Sequence, residues 1–268
     1  MKWFSASQVR QRFVVPACFV LLWEVCSRVG FVDPQLVPAP STVAHTWWVW
    51  IFGASGEQHN MYAGNWLPHA AASTRRVLTG FAIATAVGVP IGVLIGWYRL
   101  AENLLDPLIQ IIRPIPITAW IPFAVIFFGI REPSAISLIA LGAFFPIVVN
   151  ATAGARHTPK VLVRAGLMLG LSEAQLLPKV VIPAALPSVV TGLRLGVGVA
   201  WVLVIVSEML AVKSGLGYVL WDAYYFLKMD VIIATMISVG LLGFLSDRLV
   251  LEAGKRALRW SSGIYESR

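Results

Sequence analysis

Few side chains in this sequence could do chemistry, and their spacing excludes more than it offers. The four histidines, His45, His59, His69 and His157, stand singly along the chain. No two of them have the spacing that brings two imidazoles to one zinc ion. Cys18 and Cys26 are eight residues apart; on a helix this is about 12 Å along the axis, too far for a disulfide, so both read as small apolar packing residues. No Gly-x-x-x-x-Gly-Lys-Ser/Thr run occurs, the loop whose amides cradle nucleotide phosphates, so ATP chemistry is not assigned to this chain. Nor does the sequence offer a serine or cysteine nucleophile paired with a histidine. What remains is two carboxylates in otherwise apolar surroundings, Glu24 and Glu208. A carboxylate in hydrocarbon is costly and turns toward a cavity or a partner. Glu24 reads as structural or interfacial. For Glu208 two readings stay open, a structural group near the outer end of its segment and a group on a polar pathway or gate. Pro114, Pro116 and Pro122 also divide two ways: they kink a core helix, or they free backbone groups that line a cavity.

The elements that carry these residues are of one kind. Of the 268 residues, 58% are hydrophobic and 13% charged, with a mean hydropathy of +0.77. An average soluble domain carries about 25% charged residues, so a water-soluble fold is excluded. A helix needs about 20 apolar residues to cross a bilayer. Residues 78–97 and 135–155 meet that length without a charge. Residues 13–29 (with Glu24), 115–130 (with Pro116 and Pro122), 189–212 (with Arg194 and Glu208) and 231–246 complete a set of about six membrane helices. The fold class is therefore all-α, a polytopic membrane bundle. Lys2, Arg10 and Arg12 precede the first apolar run, which has no small-x-small cleavage site, so that run reads as a retained helix rather than a signal peptide. With both termini in the cytoplasm, fifteen of the 21 Lys and Arg fall inside and six outside, as the positive-inside rule requires. That bias accounts for the net charge of +8 without any nucleic acid.

The polar segments divide the chain further. Residues 1–72 comprise the first span and an outer segment with Pro34, Pro38 and Pro40 followed by Trp47, Trp48, Trp50 and Trp66. Indoles favour the membrane–water interface, and a helix over 42–52 lying on the membrane is expected. Residues 73–260 form the membrane core. Gly80, Ala84, Gly88, Gly92 and Gly96, and then Gly192, Gly196 and Ala200, recur every four residues and allow close backbone approach between helices in lipid. Asn150 reads as a helix–helix hydrogen-bonding group. The loop over 156–187 reads as two short helices. Thr158-Pro159 starts the first and Gly170 breaks it. Ser172 with Gln175 forms a capping box for the second, and Pro183 and Pro187 close it. One side is basic, and Leu167, Met168, Leu169 and Leu171 make the other apolar; such an element is built to dock.

This loop resembles that of ABC importer permeases, whose pattern is Glu-Ala-Ala, three residues, Gly, nine residues, Ile-x-Leu-Pro. Gly170, Val180, Ile182 and Pro183 fall at the matching offsets, and Arg164-Ala165-Gly166 occupy the Glu-Ala-Ala positions. Arg164 for Glu and Gly166 for Ala are departures, and the first removes any salt bridge that the glutamate would make. Outside the loop, Trp23-Glu24, Val32-Asp33-Pro34, Pro38-Ala39-Pro40-Ser41, Asp106-Pro107-Leu108 and Arg113-Pro114-Ile115-Pro116 are similar to the taurine, aliphatic sulfonate and nitrate branch. So are Ile121-Pro122, Phe128-Gly129-Ile130, Ser207-Glu208-Met209 and Gly215-Leu216-Gly217-Tyr218.

The resemblance implies a type I importer permease in a bacterial inner membrane, without its own ATPase site. It implies a homodimer, two ABC ATPase subunits that bind ATP and Mg on its inside loops, and an extracytoplasmic solute-binding protein that delivers a small, anionic solute. Arg164, Ala165, Gly166, Leu169, Gly170, Leu171, Ser172 and Pro183 are then expected to couple to the ATPase. Pro116, Trp120, Pro122 and Glu208 are expected on the translocation pathway. The rival classes are a membrane-embedded enzyme, which needs clustered polar catalytic residues at one membrane face, and a channel without ATP coupling.

Overall fold

The computed structural model describes residues 6–53 and 62–258, with side chains from residue 14 onward. Lys2, His59, Arg259 and Arg268 of the charge and histidine arguments lie outside the described residues, as do the side chains of Arg10 and Arg12. Every regular element among the described residues is helical. Four helical stretches are long and apolar enough to cross a membrane: Trp66–Trp97, Glu132–Arg156, Glu173–Ala211 and Met229–Ala257. A bent pair, α4 (Arg99–Ile112) and Ile117–Phe128, meets at 91° and makes a fifth span if the two limbs cross together, or a re-entrant loop if they do not. The expected third span over 115–130 is thus only the second limb of a broken element, whose first limb begins at Arg99. The first expected span lies on α1 (Ala6–Arg28), which is not among these stretches, so four or five spans among the described residues stand against the expected six.

The chain divides into two compact units, residues 1–70 with 219–238, and 71–218 with 239–268. In the first unit, α1 is followed by α2 (Pro40–Phe52), which starts at Pro40 in the first turn, where its missing N–H costs nothing. Glu24 supplies the missing N-terminal acceptor from the neighbouring helix. Its carboxylate takes the Ser41 N–H at 3.0 Å and the Ser41 hydroxyl at 2.8 Å, and pairs with Arg28 at 2.5 Å. Trp47 and Trp66 both donate their indole N–H to Ser238 Oγ at 2.9 Å, so these two indoles serve packing within the unit, whereas Trp48 stays exposed. Thr46 donates to Asp230 at 2.6 Å and Tyr62 to Asp222 at 2.8 Å.

The second unit is built on α6 (Glu132–Arg156). Pro133 in its first turn and Glu132 at the positive end of its dipole favour its start there. One side of α6 receives α3 (Trp66–Trp97). A Cβ added to Gly80 would lie 2.6 Å from Ile139, one on Gly92 2.6 Å from Ala151, and one on Gly96 2.5 Å from the Thr152 carbonyl. Another side receives α9 (Ile182–Ala211): Gly192 lies against Asn150, Gly196 against Ile147, and Gly142 of α6 against Leu203. The two small-residue stripes therefore converge on one central helix. Lipid offers no hydrophobic driving force between helices, so this close backbone contact holds them. Asn150 differs from expectation. Its side-chain N–H groups stay in their own helix, with Nδ2 donating to the Pro146 carbonyl at 2.8 Å.

α11 (Met229–Ala257) joins α9 through polar contacts. Arg194 forms a two-pronged pair with Asp247, both distances 2.8 Å, and Trp201 donates to Ser246 at 3.0 Å. The charge that blemished the fifth span is thereby neutralised by the sixth.

Candidate functional site

The loop over 156–187 begins with α7 (Lys160–Met168), whose N-cap is Pro159, so the helix starts one residue later than the expected start at Pro159. α7 ends because Gly170 adopts φ +81°, a left-handed conformation that glycine enters without penalty. Leu171 N–H then reaches the Gly166 carbonyl and Gly170 N–H the Leu167 carbonyl, each at 3.0 Å; this is the Schellman closure of a helix C-terminus. Leu171 packs back on Gly166, and a Cβ added to Gly166 would lie 2.7 Å from Leu176. The glycine at 166 thus fits the close approach of the following helix. Ser172 and Gln175 form the expected capping box, with Ser172 N–H to Gln175 Oε1 at 3.1 Å.

The end of the loop departs from expectation. Pro183 and Pro187 do not close the second helix. α8 (Glu173–Leu176) runs through a π-turn, Leu177–Val181, directly into α9, with Pro183 in the first turn of α9 and Pro187 inside it. The wider π-turn accommodates the missing N–H groups and the ring of Pro178. One continuous helical stretch over Glu173–Ala211 therefore joins the loop to a membrane-length helix. Arg164, Ala165, Gly170 and Ser172 are exposed, Gly166 is buried, and Leu171 and Pro183 are intermediate. The turn leaves Met168 and Leu169 87% and 84% exposed, so two large apolar side chains crown the tip, with the exposed Arg164 about one turn earlier on α7.

The expected pathway residues separate into two places. Pro116 caps a 3-10 turn, Ile117–Trp120, that leads into α5 (Ile121–Phe128). Pro116 and Pro122 are exposed, and Trp120 is half-buried with its ring edge-on to Phe123 at 5.9 Å. The indole N–H of Trp120 has no partner among the described residues. Ile117, Thr118 and Ile121 meet Leu138 of α6 and Leu203, Val206 and Ser207 of α9 around a narrow space. The bend thus reaches α9 one residue from Glu208.

The Glu208 side chain itself is fully buried at 0% exposure and engaged on all sides. Oε1 accepts from Arg76 Nη1 at 2.7 Å, and Oε2 accepts from the Ser73 hydroxyl at 2.8 Å and from Gly217 N–H at 2.9 Å. Ser73 Oγ in turn accepts the Leu216 N–H at 2.8 Å. Arg76, 1% exposed, also reaches the Ser214 carbonyl at 2.8 Å, Ser214 Oγ at 2.7 Å and Glu132 at 3.3 Å. Gly215, at φ +112°, leaves room for the carboxylate, since a Cβ there would sit 2.2 Å from its carbon. One acid and one guanidinium thereby tie α3, α6, α9 and the segment entering α10 (Leu216–Tyr225). In the sequence Arg76 is only one of the six cations on the outer side. A signal was there: a buried acid at the outer end of one span needs a cation at the same depth, and Arg75-Arg76 precede another span.

Comparison with known proteins agrees with this architecture. The family model described as binding-protein-dependent transport system inner membrane component matches residues 88–256. A putative ABC transporter permease of Methanocaldococcus jannaschii is 40% identical over 235 residues, 87% of this chain and 85% of that protein. The taurine transport system permease TauC of Escherichia coli K12 is 35% identical over 258 residues, 96% of this chain and 90% of that protein. Among solved structures, the MetNI methionine ABC transporter in an inward-facing form shares the fold, with a TM-score of 0.57 and 22% identity over 69% of this chain and 94% of that one. This chain belongs to the family of inner membrane components of binding-protein-dependent transport systems, the permease subunits of ABC importers, in which ATP hydrolysis resides on a partner subunit.

Proposed function

We propose that two copies of this chain form the membrane path of an importer for a small anionic solute of the sulfonate, taurine, nitrate or carboxylate type. An extracytoplasmic binding protein delivers the solute at the outer face. Two ABC ATPase subunits, which hold the ATP and Mg, dock on the loops over 156–187 at the cytoplasmic face of a bacterial inner membrane, where both termini also lie. The observation that carries this reading is the exposed apolar tip of Met168 and Leu169, with Arg164 about one turn earlier on α7, set on a rod continuous with α9. Exposed large apolar side chains rimmed by polar ones mark a protein contact. The α8–α9 rod would carry a displacement at that contact into the membrane, and closure of the ATPase pair would open the bundle outward in alternating access. The solute class is supported by the taurine permease relative and by the motifs shared with the sulfonate and nitrate branch.

Within this scheme Pro116, Trp120 and Pro122, on the exposed second limb of the broken span, belong to the pathway wall. Glu208 takes a different role. Its carboxylate is saturated by Arg76, Ser73 and Gly217 and serves as an anchor at the outer end of α9 against which the rod can lever.

The reading is tested by reconstituting the permease with its ATPase and binding protein and measuring ATP turnover against a panel of solutes. Stimulation by sulfonates, nitrate or carboxylates is expected; stimulation by neutral or cationic solutes only would overturn the anion class and leave the family assignment intact. Arg164→Glu reverses the charge of the docking face and should lower complex yield or coupled uptake. Full uptake with normal yield would show that position to be mere solvated surface.

A further inference from the structure

α10 ends as α7 does, but with a different residue at the decisive position. In α7 the left-handed residue is Gly170; in α10 it is Leu227, at φ +53°. The closure is the same. Lys228 N–H reaches the Ala223 carbonyl at 2.9 Å and Leu227 N–H the Tyr224 carbonyl at 3.1 Å, the Schellman pattern in which glycine is the usual left-handed residue. Leu227 is the one non-glycine residue with positive φ among the described residues. A side chain with a Cβ is strained there, and such strain persists only where something outweighs it. Burial within the chain does not, because Leu227 is 76% exposed. The contact that offsets the strain lies outside this chain.

The leucine belongs to a patch. Tyr224, Tyr225 and Phe226 are each more than half exposed, and Lys228 is exposed. Trp221 stacks on Tyr224 with centroids 5.4 Å apart and 19° between the planes, and Tyr225 stands edge-on to both rings at 5.4 and 5.8 Å. Val219 and Ala223 form the buried side of the same segment. Its two acids are engaged: Asp222 accepts from the Tyr62 hydroxyl and Asp230 from Thr46. The place of the patch along the chain says what it touches. α10 has ten residues, too few to cross a bilayer, and Lys228 directly precedes the membrane-length helix that starts at Met229. Residues 224–228 therefore stand where α11 leaves the hydrocarbon. Phenols and an indole over apolar side chains suit the membrane–water interface, and a lysine there extends its ammonium to the polar side. We propose that residues 224–228 are a lipid anchor: Phe226 and Leu227 enter the acyl-chain boundary and the Lys228 ammonium meets a lipid phosphate. Its placement in the outer leaflet rests on the orientation proposed above; the lipid contact does not.

The test places a nitroxide at Leu227→Cys or at Phe226→Cys on a background lacking Cys18 and Cys26. The permease is reconstituted with its ATPase in vesicles of phosphatidylethanolamine and phosphatidylglycerol, without binding protein. Relaxation by oxygen, which partitions into the bilayer, is compared with relaxation by a water-soluble nickel chelate. Oxygen should dominate at 226 and 227, and nickel at Lys213→Cys, an exposed position in the same segment between α9 and α11. Two labelled positions keep the test readable if one variant fails to fold. Adding Lys228→Glu should shift the label at 227 toward nickel, since phosphate repels the carboxylate; no shift would overturn the phosphate contact. Nickel dominating at both 226 and 227 would overturn the anchor. So would shielding from both reagents, with a second copy as the occupant if it occurs in the permease alone and the binding protein if it appears only on adding that protein. Oxygen at 226 and 227, with Lys213→Cys labelled by an impermeant reagent only in opened cells, would overturn the outer leaflet and the proposed orientation while the lipid contact stands.

Discussion

Glu208 and Arg76 illustrate what a single pair can hold in a membrane bundle. Each charge is costly to bury, and their mutual attraction compensates only because the remaining lone pairs and N–H groups are also satisfied. Here Ser73, Gly217 and Ser214 satisfy the carboxylate and both Arg76 Nη groups, and Arg76 Nε has no partner among the described residues. Arg76→Leu leaves the carboxylate buried without its cation and should lower stability by about 3–5 kcal/mol, read as a fall in the melting temperature of the detergent-solubilised protein. The double change Arg76→Leu with Glu208→Leu should recover part of that loss, since it removes both charges. A double mutant no more stable than Arg76→Leu would show that the ion pair is not the source. Gly215→Ala probes the same anchor from the other side. Its Cβ would overlap the Glu208 carboxylate at 2.2 Å, at a φ that L residues avoid, so it should destabilise by a similar mechanism without touching any charge.

At the scale of elements, two glycines act by different physics. Gly170 has open space around its Cα, with nothing within 4 Å of an added Cβ. Gly170→Leu therefore creates no clash and should insert and fold. Its cost is the left-handed backbone, about 1–2 kcal/mol, which is relieved by re-aiming the loop that carries Met168 and Leu169. Uptake should drop while expression holds, and Gly170→Asn, which tolerates that φ, should retain more uptake than Gly170→Leu. If Gly170→Leu transports like wild type, the loop does not couple. Gly92 is the opposite case. Its Cβ would lie 2.6 Å from both Ala151 and the Val148 carbonyl, so Gly92→Leu pushes α3 off α6 and should fail in folding, seen as loss of detergent-stable protein rather than as loss of coupling.

For the whole molecule, the proposed orientation places the loop over 156–187 on one side and the Glu208 anchor on the other. Lys160 and Lys213 are both exposed and mark the two faces. On a background lacking Cys18 and Cys26, Lys213→Cys should react with a membrane-impermeant thiol reagent in intact cells, and Lys160→Cys should react only after the cells are opened. Labelling at 160 from outside would reverse the topology and with it the assignment of the loop to the ATPase side.

The amino-acid sequence by itself determined the solvent and the helices. Low charge and long apolar runs demand a bilayer, because no water-soluble fold can hide them, and the every-fourth-residue glycines announce close helix contacts before any partner is known. The turn at Gly170 and the cap at Ser172 were equally legible, since Gly170, Ser172 and Gln175 act on backbone groups within a few residues of themselves. Tertiary structure decided everything that depends on distance in space. Arg76 reads as a loop cation until it is placed 132 residues away in sequence on Glu208. Pro183 and Pro187 read as stops until a π-turn carries the helix through them. Local rules see neighbours along the chain. Charge pairing and pathway lining arise between helices, and only their packing selects which residues meet.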